Sequence, residues 1–146
     1  MLSRMRGVTL IELIVVVAII AIIAAFAYPS YLDHVHKAKR ADAETALMEL
    51  AQYMERYYTT NGQYKTAGED DATVTARLPY NQVPRDGIPT YTYYDLSAVG
   101  VTNTSFTLQA APKNAMAGDD CGNLSLSSTG VKSRSGTASI DLCWRQ

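Results

Sequence analysis

Glu12 is a carboxylate lodged in apolar sequence. Every residue from Leu13 to Tyr28 is apolar or aromatic (LIVVVAIIAIIAAFAY), and Val8, Leu10 and Ile11 carry that character in front of it. Residues 8–28 make about 21 positions, roughly 31 Å as a helix, enough to cross the hydrocarbon core of a bilayer. A charge in such a span costs about 2.5–3.5 kcal/mol at the bilayer centre and less near an interface, so by default it marks a function and needs a partner. An amine is the natural one. Cutting the chain between Gly7 and Val8 would create one four positions before Glu12, where a single helical turn brings the two groups to one face. In an assembly, the amine of a neighbouring chain would serve instead.

The remaining reactive side chains are few. Cys121 and Cys143 lie in the last quarter without CxxC spacing, which argues for a disulfide in an oxidising compartment over a metal site or a redox motif. Closing it makes a loop of about 23 residues, worth about 3 kcal/mol in the chain-entropy model. His34 and His36, two apart, point to different sides of a helix, and the chain has no other histidine. Glu69-Asp70-Asp71 lacks the alternating oxygen pattern and turn glycine of an EF-hand loop, so a solvated loop outweighs calcium binding. No metal site or cofactor is expected. Nor is an enzyme, since no nucleophile with an adjacent base, phosphate loop or spaced ligand set occurs. Lys132 and Arg134, inside the 121–143 loop, are candidate DNA contacts, although such contacts fix position rather than read sequence. With a net charge of -1 over 146 residues, any nucleic-acid binding has to be local.

These groups need elements to hold them. Arg4 and Arg6 precede the apolar run, which keeps that end cytoplasmic and places the chain after Pro29 outside the cytoplasm. A secretory signal peptide would show small residues after its core, where this chain has Phe26-Ala27-Tyr28-Pro29-Ser30. An uncleaved signal anchor explains the hydropathy but not Glu12. Pro29 is the strong breaker, and a bend is expected just before it.

Past Pro29 the apolar residues Leu32, Val35, Ala43, Ala46, Leu47, Leu50, Met54 and Tyr57 recur at three- and four-residue steps, predicting an amphipathic helix over 30–60. The charged residues, among them Lys37, Lys39, Arg40, Asp42 and Glu44, fall mostly on the other face, read as solvated or as facing other subunits. For Lys37, Lys39 and Arg40, a solvated face outweighs contact with anionic headgroups. Asn61-Gly62 supplies the stop. A connecting loop with at most a short helix follows over 61–90. Strands are expected at 91–98, 105–111, 122–127 and 137–142, forming an antiparallel sheet with one buried face that the helix covers. Tyr91 and Tyr93 share a strand face and are read as packing residues rather than a base-stacking platform.

Arg6-Gly7-Val8-Thr9-Leu10-Ile11-Glu12-Leu13, the apolar run and Ala27-Tyr28-Pro29-Ser30-Tyr31 closely resemble the class III signal of type IV prepilins. Asp120-Cys121-Gly122-Asn123-Leu124-Ser125-Leu126, Gly130-Val131-Lys132 and the ending Asp141-Leu142-Cys143-Trp144 resemble PilE-type pilins, many of them minor components. The resemblance implies an α+β type IV pilin fold: a long N-terminal helix packed on a four-stranded antiparallel sheet with a C-terminal disulfide loop. It implies a leader (1–7), a membrane and filament-core helix (8–29) and a globular head (30–146). Gly7 would precede the cut by a prepilin peptidase, Val8 would become the N-methylated first residue in place of the family's usual phenylalanine, and Glu12 would assist assembly.

The implied function is a structural, minor subunit of a type IV pilus, held in the inner membrane as prepilin and then assembled into an extracellular filament for adhesion, twitching motility or DNA uptake. Its partners would be other pilin subunits, the peptidase, the inner-membrane assembly machinery and the membrane itself. Two alternatives remain open at this point. One is a DNA-binding minor pilin that serves as an uptake receptor; the other is a type II secretion pseudopilin, against which the disulfide-closed C-terminus counts.

Overall fold

The computed structural model of the chain describes residues 8–144. Arg4, Arg6 and Gly7, and with them the leader and the residue before the expected cut, lie outside the described residues. The chain divides into two compact units, residues 1–35 and 36–146, which share one uninterrupted helix, α1 (Leu10–Asn61).

In the first unit α1 runs from Leu10 through Pro29, and the side chains from Val8 to Leu32 are exposed. Pro29 does not end the helix. Proline there removes one intrahelical hydrogen bond and crowds the preceding turn, yet α1 continues for 32 further residues to Asn61. It is the one described helix long and apolar enough to cross a membrane, with a mean hydropathy of 3.1 over its best window.

The second unit is the head. Arg40, Ala43, Glu44, Ala46, Leu47, Leu50 and Met54 form the buried stripe of α1, at the three- and four-residue steps of a helix face. Leu32, expected to continue that stripe, is exposed, and Val35 is half-buried. The segment after α1 holds a short helix, α2 (Asp71–Arg77), which buries Val74. Asp70 caps it: its carboxylate accepts from Thr73 N at 2.7 Å and Thr73 Oγ1 at 2.6 Å.

The sheet is a five-stranded antiparallel meander, β1 (Gln82–Val83), β2 (Tyr94–Val99), β3 (Thr107–Pro112), β4 (Leu124–Ser127) and β5 (Lys132–Arg134), in that spatial order. Its register places Leu96 opposite Ala110, Ala98 opposite Leu108, Leu108 opposite Leu126 and Ala110 opposite Leu124. Those residues and Tyr94 are buried, whereas Asp95 and Val99 are exposed and Ser97, Gln109 and Ser125 half-buried. One face therefore packs into the core and the other meets solvent. The core joins this inner face to the stripe of α1, with Tyr64, Phe106, Met116 and Trp144 filling between.

Three placements differ from the expected strands. The sheet has five strands rather than four, because Gln82–Val83, within the expected connecting loop, adds a two-residue edge to β2 by backbone pairing too short to leave an alternating pattern. The last strand is Lys132–Arg134, not 137–142, and residues 140–143 form a short helix, α3 (Ile140–Cys143). Polar Lys-Ser-Arg gives no alternation to read, because an edge strand is held by its backbone ladder to β4 rather than by a buried side-chain row. The tyrosine register is also shifted: Tyr94 is the buried residue, Tyr93 is half-buried and Tyr91 is 73% exposed, ahead of the strand.

Candidate assembly segment and candidate nucleic-acid interface

Helix α1 begins with a local signal. Thr9 Oγ1 accepts from Glu12 N at 3.3 Å, the N-cap half of a Thr-x-x-Glu capping box, and Thr9 O accepts the first helical bond, from Leu13 N at 3.2 Å. Glu12 thus lies in the first turn, where the positive end of the helix dipole favours a carboxylate. Val8 precedes the cap and is not helical, so in the uncut chain the one-turn alignment of Val8 with Glu12 is absent. Val8 is 70% exposed, and the large apolar side chains after it up to Phe26 are all at least half exposed.

The expected disulfide is present. Cys121 and Cys143 are bonded, with Cα atoms 5.6 Å apart, and both are buried. The chain at 133–138 lies directly on the strand entry at 120–123. Gly136 N donates to Cys121 O at 2.9 Å, Ser135 N to Asn123 O at 3.0 Å and Ala138 N to Asp120 O at 3.1 Å. A Cβ on Gly136 would meet Asp120 O at 2.0 Å, so only glycine permits this approach. The loop closes on Trp144, whose Nε1 donates to Ser133 O at 2.9 Å.

Lys132 and Arg134 lie two apart on β5, opposite Leu126 and Leu124. Lys132 is exposed, with its ammonium 5.3 Å from the centre of the Trp144 ring. Arg134 is half-buried and its guanidinium turns back to donate to Gly136 O. The structure therefore presents one of the pair outward and uses the other to hold its own loop. Elsewhere in the head Arg77, Arg85 and Lys113 are neutralised by Glu69, Glu49 and Asp95. A groove for nucleic acid has to draw on other exposed cations, such as Lys132 and Arg56.

The charge pattern on α1 concealed a buried pair. Arg40, read as solvated, donates from Nε to Oδ1 and Oδ2 of Asp119 at 3.1 and 3.0 Å, and its Nη2 also reaches Oδ1. The carboxylate holds this guanidinium above its ordinary pKa despite the opposing effect of burial. Glu44, one turn further, is buried too. Beside them Tyr94 is fully buried and its hydroxyl finds no hydrogen-bond partner among the described residues. Burial, and then the Asp119 charge, push its pKa upward. The three- and four-residue steps on α1 from Arg40 to Ala43 and Leu47 were the available signal for Arg40.

The acidic cluster is structural. Glu69 accepts from Thr66 N and Arg77 Nη1, both at 2.7 Å, and the Asp71 carboxylate accepts from Gly100 N at 2.6 Å and Val101 N at 2.9 Å. Hydrogen bonds from the Thr66 and Thr73 amides and hydroxyl, with Arg77, hold Glu69 and Asp70 below the ordinary carboxylate range. Glu69 and Asp70 are spent on the 66–77 segment and Asp71 on the turn after β2, and among the described residues no cluster of ligands for a metal ion occurs.

Residues 29–125 match the family described as type IV minor pilin ComP, DNA uptake sequence receptor, and residues 2–28 match the prokaryotic N-terminal methylation motif. Among solved structures, the chain is similar to the non-core minor pilin PilV of Neisseria meningitidis, at 25% identity over 73% of this chain and 93% of that one, with a TM-score of 0.52. It is also similar to a type IV pilin from Shewanella oneidensis, at 28% identity over 76% of this chain and 99% of that one, with a TM-score of 0.49. No curated protein matches it.

Proposed function

The chain belongs to the type IV minor pilin ComP family, and from that premise we propose that it is made as a prepilin, cut after Gly7, methylated on Val8 and drawn from the inner membrane into an extracellular pilus. One observation carries this reading: the apolar helix of residues 10–28 is exposed along its length, yet starts with a capped turn that contains Glu12. A purely anchoring span has no use for that carboxylate, and a soluble protein has no use for that surface. Cutting at Gly7–Val8 leaves the new amine beside the helix start. It can meet Glu12 of its own chain if the first turn extends by two residues, or Glu12 of a neighbour. The partners of the reading are the prepilin peptidase, the assembly machinery and other pilin subunits.

The test separates the two residues. Substitution of Gly7 by a bulky residue is expected to block processing, leaving the full-length chain in the membrane. Glu12→Ala is expected to be processed normally and to be missing from sheared pili. Normal incorporation of Glu12→Ala would give the carboxylate another role.

A second reading, direct contact with DNA, draws support from the description of the matched family as a DNA uptake sequence receptor. That match ends at residue 125, ahead of Lys132 and Arg134. On this chain the contact would rest on Lys132, exposed on the edge strand over Trp144, with the phosphate backbone as its partner.

A further inference from the structure

Away from the sheet core, α1 and the chain flanking β1 border a polar pocket of about 400 Å³. Glu49, Gln52, Tyr53 and Arg56 line it from α1, at the three- and four-residue steps of one helix face. Pro79, Tyr80 and Arg85 line it from the other side. Its size is that of a small-molecule site, about 300–1,000 Å³, but such sites are mostly apolar. Here four of the seven lining residues carry a charged or amide side chain, and the apolar share is one proline and two tyrosine rings. The ligand that matches this lining is rich in hydroxyl groups and has one small apolar face.

The walls are held in place before any ligand arrives. Tyr80 donates through its hydroxyl to Glu49 Oε2 at 2.8 Å, and the Arg85 guanidinium lies over the Tyr80 ring, 4.0 Å from its centre, with Nη2 on the same Glu49 oxygen. Tyr53 is tied by its hydroxyl to Arg77 O at 3.0 Å. Fixed donors of this kind lose little freedom on binding. The Glu49 carboxylate is therefore spent on its own wall, whereas Arg85 keeps N–H donors beyond the one on Glu49.

Arg56 differs from its neighbours. It is exposed, and its guanidinium has no hydrogen bond or ion pair among the described residues. Its planar fork matches a carboxylate with two parallel hydrogen bonds. The two nearest acids in sequence are not in the lining. Glu55 accepts from the Tyr64 hydroxyl at 2.8 Å and borders a separate pocket beside Phe106, and Asp86 is exposed next to Arg85. The unspent charge of the pocket is thus a single cation.

We propose that this pocket binds an acidic sugar: its carboxylate pairs with Arg56, its hydroxyls meet Gln52 and Arg85, and its apolar ring face rests on Pro79. The site gives the head a ligand in acidic polysaccharide, and it stands on the head's own geometry, independent of how the chain is processed.

Calorimetric titration of the full chain in detergent tests it. The acidic probes are trigalacturonate and sialyllactose, lactose is the neutral control and inorganic phosphate the bare anion. At least one acidic probe is expected to bind saturably at about 1 mM or tighter, with lactose and phosphate about tenfold weaker or more. Arg56→Gln is expected to weaken the acidic probe about tenfold or more, and Gln52→Ala several-fold. Lys37→Gln, which removes an exposed cation elsewhere on α1, should leave binding unchanged. Arg56 supports no other side chain, so an unaltered unfolding midpoint is expected for Arg56→Gln and separates lost binding from lost fold. Absence of binding by both acidic probes overturns the proposal. So does equal binding of lactose, which would leave the carboxylate without a role, or equal binding of phosphate, which would make the pocket a general anion site. Acidic-probe binding indifferent to Arg56→Gln overturns it as well.

Discussion

Arg40 grips both carboxylate oxygens of Asp119 through its Nε, at 3.1 and 3.0 Å, with the Asp119 side chain wholly out of solvent. The pair ties the first buried turn of α1 to the segment two residues ahead of Cys121, so helix and disulfide loop share one clamp. Removing one partner of a buried pair strands the other charge, at about 3–5 kcal/mol. Asp119→Asn or Arg40→Met is therefore expected to destabilise the head by about 3 kcal/mol, read as a shifted midpoint in denaturant unfolding of the full chain in detergent. The double variant Arg40→Met with Asp119→Leu is expected to lose less than either single change, because no charge is left unpaired. A double variant that loses the sum of the two would contradict this.

The C-terminal loop depends on glycine as much as on sulfur. Reducing Cys121–Cys143 should cost about 3 kcal/mol through the freedom it returns to the unfolded chain. Gly136→Ala places a Cβ against Asp120 O, where neither backbone can yield cheaply. It is expected to impair disulfide formation in cells, seen as free thiol by alkylation, whereas Gly118→Ala, with open space at its Cβ, should not.

Acid should loosen α2 before the sheet. Glu69 and Asp70 are held below the ordinary carboxylate pKa in the folded head, so the stability they contribute is fully present above the unfolded value of about 4 and is lost as pH falls through their lower folded values. Amide exchange in 71–77 is expected to accelerate below about pH 4 while that in 107–112 stays protected. Asp70→Asn keeps a cap acceptor without the ionisation, and should flatten the part of the acid dependence that belongs to Asp70.

DNA contact, if the head makes it, is a phosphate contact. Lys132→Ala is expected to weaken binding evenly across duplex sequences and to lower the slope of log affinity against log salt by about 1. Arg134→Ala should change it less, since that guanidinium is spent on Gly136 O. Absence of any binding at low salt would remove the reading.

Much of this molecule is written locally. The apolar run, Glu12, the two cysteines and the Ala43, Ala46, Leu47, Leu50, Met54 stripe each follow from residue type and spacing, and the structure places the last three features in helix, disulfide and core as expected. The misses share a physical cause. Arg40 looks solvated until Asp119, 79 positions away, arrives to pair with it. β5 is polar and short because its hold on β4 is backbone hydrogen bonding. Residues 137–142 alternate like a strand, but Cys143 must return to Cys121, and the chain makes that turn as a single helical turn at Ile140–Cys143. Tyr93 and Tyr94 are equally good strand residues, and only the register with Pro112 decides which one is buried. The pocket beside Phe106 had no local signature, because α1, the residue ahead of β3, the end of β4 and the β4–β5 turn each supply part of its wall.

The most direct test of the central claim is the intact mass of this chain recovered from sheared pili. A subunit that begins at Val8, is one methyl group heavier than its sequence and retains the Cys121–Cys143 bond is the predicted result. A chain found in pili with residues 1–7 still attached, or found only in the membrane when pili are made, would contradict it.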